Sequence, residues 1–187
     1  MRAMIEGLPP LPEGYEKRMP RHAEANQLAP VGKDTSGRSA FLTPDAAAAW
    51  AAMRDAAARE GIELLLVSAY RDVTRQREII RAKLSSGIPL AEILRVSAYP
   101  GFSEHHSGRA VDIGAPGCEG LTGEFEGTPQ FSWLMERAGG FGFKLSYPRV
   151  NRFGIAYEPW HWCFEGKDGA ATDPGCSPPK DDVRKEG

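Results

Sequence analysis

Apolar residues along this chain fall into short blocks divided by Gly, Pro and charged turns, and the spacing inside the blocks changes from one to the next. Residues 1–40 show little periodicity and are rich in Pro, Gly and charge, which predicts an extended N-terminal arm laid over the surface. Thr43-Pro44-Asp45 then opens a helix. The Thr43 hydroxyl can cap, Pro44 suits a first turn whose N–H goes unused, and the Asp45 carboxylate favours the positive end of the helix dipole. Ala-rich sequence carries this helix to Glu60, and Gly61 ends it. Its small side chains predict close packing on a sheet.

Residues 62–68 form a mostly apolar run, short enough for a buried central strand. Arg71 lies just beyond it, and Asp72 can cap a second helix to about Ser85 with Val73, Ile79, Ile80 and Leu84 inward. A short helix over 90–96 and a turn at Tyr99-Pro100-Gly101-Phe102 lead to a second strand at 108–114. Residues 115–127 read as a Gly-rich loop whose acidic residues lack the regular spacing of a calcium loop. Thr128-Pro129 repeats the cap-plus-proline signal before a helix to about Ala138, with Phe131, Leu134 and Met135 inward. Strands follow near 143–146 and 155–164, and the Pro-, Gly- and charge-rich tail, 168–187, is expected to be poorly ordered. The sum is an α+β fold: one domain over 41–167 with a small, mainly antiparallel sheet flanked by helices.

Composition narrows the function more than the fold. The 187 residues suit one domain with a proper core. With 23 Lys and Arg against 25 Asp and Glu, there is no electrostatic case for nucleic acid or an anionic membrane. No apolar run approaches the roughly 20 residues of a transmembrane segment. Residues 1–6 lack the apolar core of a signal peptide, so an exported protein of this sequence would need another route or an already removed leader. Three cysteines, Cys118, Cys163 and Cys176, are too few for a disulfide framework. Cys163 reads first as a packed thiol, then as a disulfide partner, and last as a zinc ligand.

Chemistry concentrates in two segments. Ser103-Glu104-His105-His106-Ser107-Gly108-Arg109-Ala110-Val111-Asp112 offers a histidine and, seven positions on, an aspartate. Glu158-Pro159-Trp160-His161 offers a glutamate and, three positions on, another histidine. Two imidazoles and a carboxylate can hold a tetrahedral zinc with a fourth position left for water, and a second carboxylate can take that water's proton. Such residues also occur together by chance, so context matters. Asp112 sits in an apolar strand, and Glu158 and His161 sit in an aromatic segment, where buried polar groups need partners.

Neighbours in extended chain face opposite ways, which leaves His106 outside a metal shell built on His105. His22, in polar sequence, reads as a surface residue. Glu158 and His161 would face opposite sides of a straight strand, so the reading requires a kinked or bulged strand at Pro159.

These blocks, with Ser68-Ala69-Tyr70-Arg71 upstream and Phe141-Gly142-Phe143-Lys144-Leu145-Ser146-Tyr147-Pro148 between them, resemble the VanY-type D-alanyl-D-alanine carboxypeptidase family of zinc metallopeptidases. The resemblance spans residues 28–166 and implies a Hedgehog/D-Ala-D-Ala peptidase-like fold. It implies that His105, Asp112 and His161 bind Zn2+, that Glu158 is the general base and acid, and that Arg71 holds the substrate carbonyl or its developing oxyanion. Arg71 keeps its charge at any working pH, which suits that task.

Around these, Ser103 can donate a hydrogen bond to substrate, and Tyr147 and Trp160 can wall a cleft, although Trp160 suits a core equally well. The substrates implied are peptidoglycan stem peptides ending in D-Ala-D-Ala, cut at the terminal bond, and the setting implied is the cell envelope or periplasm. Alternatives are an endopeptidase or D,D-dipeptidase of the same fold, a non-catalytic wall-peptide binding module, and a zinc-stabilised structural protein. Oligomeric state is not legible.

Overall fold

Residues 7–42 are more structured than the extended arm their composition predicts. In the computed structural model, which describes residues 7–166 apart from Glu119, they form a one-turn helix α1 (Tyr15–Arg18) and a hairpin of β1 (Ala29–Lys33) and β2 (Ser39–Leu42). Leu8, Leu11, Tyr15 and Met19 are buried, and the Tyr15 hydroxyl accepts a bond from the Tyr99 N–H at 3.0 Å. The prolines between these apolar residues hide their common face from a periodicity reading. The tail after residue 166 and Cys176 lie outside the described residues.

Helix α2 (Pro44–Arg59) follows the Thr43-Pro44-Asp45 start, although the Thr43 side chain makes no capping bond. It buries Ala46, Trp50, Met53 and Ala57, a stripe at helical spacing. Past Gly61 come β3 (Leu65–Ser68), α3 (Val73–Ser85) capped by Asp72, and α4 (Leu90–Ile93). Then follow β4 (Ala110–Gly114), α5 (Pro129–Arg137) capped by Thr128, β5 (Phe143–Leu145) and β6 (His161–Phe164). The last four strands form one antiparallel sheet in the order β3-β4-β6-β5.

Alternation along the sheet separates core from site. Val111, Ile113, Trp162 and Phe164 pack into a cluster with the inner faces of α2 and α5. Asp112 and His161, one position out of step with those residues, are turned to the opposite face. They are also register partners, and Asp112 pairs in turn with Ser68 of β3, so the three side chains form a row across the sheet. A second apolar cluster brings together Tyr15, Met19, Ile80, Ile93, Tyr99, Phe102 and Tyr147.

Several predicted faces need correction. In α5 the buried residues are Trp133 and Leu134, Phe131 is partly covered, and Met135 is 56% exposed. In α3 the buried pair is Gln76 and Ile80, with Val73, Ile79 and Leu84 only half-buried, because one side of this helix borders a polar cleft. The loop at 115–127 contains a short 3-10 helix (Gly123–Gly127) anchored by fully buried Phe125. Cys118 and Cys163 are free thiols, so they do not bridge each other. Among the described residues no helix is long and apolar enough to cross a membrane.

Candidate active site

The motif that carries both adjacent histidines is not extended. Glu104–Ser107 form a 3-10 helix, closed by Gly108 in the left-handed conformation at φ 67°. A 3-10 turn fans successive side chains about 120° apart, so His105 and His106 diverge without lying on opposite faces. His105 Nδ1 lies 2.7 Å from the Ala69 carbonyl, which requires the proton on Nδ1 and leaves the Nε2 lone pair free. His106 Nδ1 donates to the Arg71 carbonyl at 2.6 Å, and its Nε2 accepts from the Gly101 N–H at 3.1 Å. Both His106 nitrogens are therefore committed to the backbone, a firmer reason to leave it out of a metal shell than the alternation expected. His22, read as a surface residue, is half-buried and ties its N–H to the Gly101 carbonyl at 2.9 Å.

His105 Nε2 faces Asp112 Oδ2 at 3.1 Å, and the other Asp112 oxygen, Oδ1, faces His161 Nδ1 at 2.9 Å. One donor atom from each of the three lies within 4.8 Å of the others, and all three residues are buried. Burial disfavours a charged carboxylate at Asp112, but the two imidazoles outweigh it and hold the group well below the usual carboxylate range.

Glu104 escaped the sequence reading. Its Oε2 sits 2.9 Å from His161 Nε2 and accepts a 2.6 Å bond from the Ser146 hydroxyl. Burial would raise the Glu104 carboxyl, yet the His161 and Ser146 bonds bring it down to about 2. The one available signal was a carboxylate next to a candidate ligand.

These donors fit zinc. Two ring nitrogens and one carboxylate converge from three elements, and each ring is oriented from behind, His105 by the Ala69 carbonyl and His161 by Glu104. Asp112 and Glu104 together create a buried demand for positive charge. It is expressed in His161, whose pKa is raised to about 10: burial opposes the charged ring, and the bonds to Asp112 and Glu104 prevail.

Glu158 reaches the same place by a turn. The expected kinked strand is instead a β-turn ahead of β6, in which the His161 N–H bonds the Glu158 carbonyl at 3.1 Å across Pro159-Trp160. This puts Glu158 Oε2 4.0 Å from His161 Nδ1. Burial pushes the Glu158 carboxyl up to about 7, with Asp112 and Glu104 adding to the rise and His161 and Arg71 opposing it. Arg71 Nη2 lies 3.7 Å from Asp112 Oδ2. Its Nη1 donates to Gln76 Oε1 at 2.8 Å, and Gln76 Nε2 donates to the Ala98 carbonyl at 2.7 Å. Gln76 was also missed, although a polar residue on the inner stripe of α3 is its visible mark.

These groups open into a cleft of about 750 Å³ whose walls include Ser103, Tyr147 and Trp160. The Tyr147 ring lies 4.9 Å from that of His161. Trp160 lines the cleft and packs on the first core, so both of its readings apply.

The sequence profile of the family VanY: D-alanyl-D-alanine carboxypeptidase matches residues 39–167. This chain belongs to that family. The D-alanyl-D-alanine carboxypeptidase of Enterococcus faecalis (strain ATCC 700802 / V583) is 34% identical over 126 residues, 62% of this chain and 45% of that protein. The chain spans about half the length of the first curated relatives it matches. Among solved structures, the LdcB LD-carboxypeptidase superposes with a TM-score of 0.70 at 28% identity, covering 90% of this chain and 85% of that one. The vancomycin-resistance D,D-pentapeptidase VanY, solved with Zn(II), superposes with a TM-score of 0.61 at 28% identity, covering 80% and 84%. The chain thus shares with the VanY family a mixed helix and sheet domain, and peptidase activity is the family's chemistry.

Proposed function

We propose that this chain is a zinc-dependent D,D-carboxypeptidase that removes the terminal D-alanine from peptidoglycan stem peptides at the cell envelope. The observation that carries the reading is the buried group of His105, Asp112 and His161 with the Glu158 carboxyl 4.0 Å from His161. His105 Nε2, an Asp112 oxygen and His161 Nδ1 would hold the metal. A zinc ion there supplies Lewis acidity and lowers the pKa of water to about 7.

The chain's own groups divide the remaining work. Glu158, with its carboxyl near neutrality, takes the proton from the attacking water and passes it to the departing amine. Arg71, steadied by Gln76, offers a permanent positive charge to the substrate carbonyl oxygen as negative charge develops there. Glu104 keeps the His161 ring turned so that Nδ1 points inward. Ser103, Tyr147 and Trp160 supply walls for the peptide.

A second reading rests on the LdcB likeness, which covers more of this chain than the VanY likeness does. It is L,D-carboxypeptidase activity, removal of D-alanine from a stem already shortened to four residues. Mass spectrometry of products from zinc-loaded protein, given a pentapeptide stem and separately a tetrapeptide stem, tests both. Loss of one alanine from the pentapeptide alone supports the D,D reading, and loss from the tetrapeptide alone replaces it. Release of intact D-Ala-D-Ala would indicate a dipeptidase, and cleavage only of whole sacculi an endopeptidase. Binding without cleavage in every case would leave a wall-peptide binding module.

A further inference from the structure

His106 is fully buried next to a metal-ligand candidate, yet nothing in the proposed reaction uses it. Its bonds run to the loop that carries Arg71. Residues 69–72 join β3 to α3 without regular structure of their own, so their backbone groups must find partners elsewhere. The Arg71 N–H donates to the His105 carbonyl at 3.2 Å, and the Arg71 carbonyl accepts from His106 Nδ1 at 2.6 Å. Both polar groups of the Arg71 backbone are thus tied to the 3-10 helix that presents His105.

The N-terminal segment fastens the same two loops from outside. The Ala25 N–H donates to the His106 carbonyl at 2.9 Å, and the Glu24 carboxylate accepts from the N–H of Val73, the first residue of α3, at 2.6 Å. At the other ring nitrogen, His106 Nε2 accepts from the Gly101 N–H at 3.1 Å, and the Gly101 carbonyl accepts from the His22 N–H at 2.9 Å. The guanidinium of Arg71 is held separately, by Gln76 and by the charge of Asp112. A long side chain is aimed reproducibly only when its root is fixed as well as its tip. A cation that must meet a developing charge tolerates little drift, since a displacement of about 1 Å costs roughly a hundredfold in rate.

We propose that His106 is a positioning residue for Arg71: its Nδ1 fixes the root of the arginine relative to His105, and Glu24 reinforces that tie from the N-terminal segment. The inference rests on the carbonyl-binding role given to Arg71 in the proposed reaction. The two nitrogens of the ring then divide their work. The Nδ1 bond sets the arginine, whereas the Nε2 bond anchors the turn at Gly101.

Asn and Gln separate the two nitrogens. An Asn amide can donate from the place of Nδ1, and a Gln amide can accept at the place of Nε2. Zinc-loaded wild type, His106→Asn and His106→Gln are compared on diacetyl-Lys-D-Ala-D-Ala, each also in an Arg71→Ala background. His106→Gln should lower kcat about 10- to 100-fold with KM and zinc affinity within a few-fold, and His106→Asn should recover most of that loss. In the Arg71→Ala background both should be nearly silent, because a residue that acts through Arg71 has nothing left to position. Glu24→Ala, at an exposed side chain, should lose a few-fold in kcat and fall equally silent without Arg71. It carries the test if His106→Gln does not fold. NMR of the Arg71 guanidinium gives a readout that needs no turnover. Its signals should stay distinct in wild type and His106→Asn, and average toward those of free arginine in His106→Gln.

Equal losses in His106→Asn and His106→Gln would overturn the inference, as would losses that persist undiminished without Arg71. A zinc affinity that falls together with kcat would also overturn it, by showing that the ring acts on His105 instead. Wild-type rates in both His106→Gln and Glu24→Ala would do the same. A wild type that cuts no stem peptide while its Arg71 signals still follow Nδ1 would remove the carboxypeptidase reading and keep the positioning. Arg71 signals indifferent to both substitutions in such an inactive protein would remove the two together.

Discussion

Glu104 and Asp112 grip opposite nitrogens of the His161 ring, Glu104 at Nε2 and Asp112 at Nδ1, each at 2.9 Å. The ring can neither rotate nor exchange its nitrogens without breaking one of these bonds. Glu104 is itself held by Ser146 on the far side. Replacing Glu104 with Gln should keep the fold and weaken zinc binding about 10- to 100-fold, the usual effect of losing the partner behind a metal-bound histidine. Competition with a chelator of known affinity measures it. Unchanged affinity would show that the Asp112 contact alone orients His161.

Glu158 lies 4.0 Å from His161 but is not one of the three clustered ligand candidates, so its removal should separate binding from turnover. The Glu158→Gln variant should take up zinc like the wild type and lose roughly a hundredfold to ten-thousandfold in kcat. Metal content and single-turnover rates, measured on one preparation, decide the matter. Near-normal kcat would remove Glu158 as the proton carrier.

In the metal-free protein the His161 ring carries two protons up to a pKa of about 10, raised from 6.5. A cation arriving at Nδ1 must displace one of them. Zinc uptake near neutral pH should therefore release about one proton, and the apparent affinity should rise about tenfold per pH unit below pH 10. Calorimetry in two buffers of different ionisation enthalpy counts the proton. The same raised pKa has a consequence for stability. The His161 contribution is fully present below about pH 6.5 and is lost as the pH climbs through about 10. Thermal unfolding of chelator-treated protein should show that loss on the alkaline side.

Gly108 closes the 3-10 helix at φ 67°, and a Cβ there would meet Ala25 Cβ at 3.1 Å, Leu28 Cδ2 at 3.2 Å and Thr43 Cγ2 at 3.3 Å. Gly108→Ala should cost about 1–3 kcal/mol through backbone strain, before any crowding. Urea unfolding measures it. A neutral result would mean that the arm around Ala25 and Leu28 can move aside.

Helix starts were readable because Thr43-Pro44-Asp45, Asp72 and Thr128-Pro129 act locally, within one turn of the chain. The apolar strand around Asp112 was readable for a similar reason, since every second residue of it packs on the core. The α1 segment was not, because its apolar residues are separated by prolines and Tyr15 finds its partner more than 80 positions away at Tyr99; nor was the hairpin, whose short strands bury only Ala40 and Leu42. Met135 was misplaced because Phe131-Ser132-Trp133-Leu134-Met135 is apolar nearly all round, and tertiary contacts choose the buried face. Glu104 and Gln76 went unseen for a different cause. Their task is to hold another side chain, and that leaves no periodic trace in the sequence.

The row formed by Ser68, Asp112 and His161 ties the chemistry to strand pairing. Should β4 slip by one residue against β6, Val111 would stand in the place of Asp112, and the carboxylate would be driven into the apolar cluster behind the sheet. A slipped sheet would have no pair of imidazoles around its aspartate and could not capture a cation. Metal capture at this site would therefore proofread the assembly of the sheet: only correctly paired molecules could be locked by the ion, and mispaired ones would stay free to open and pair again.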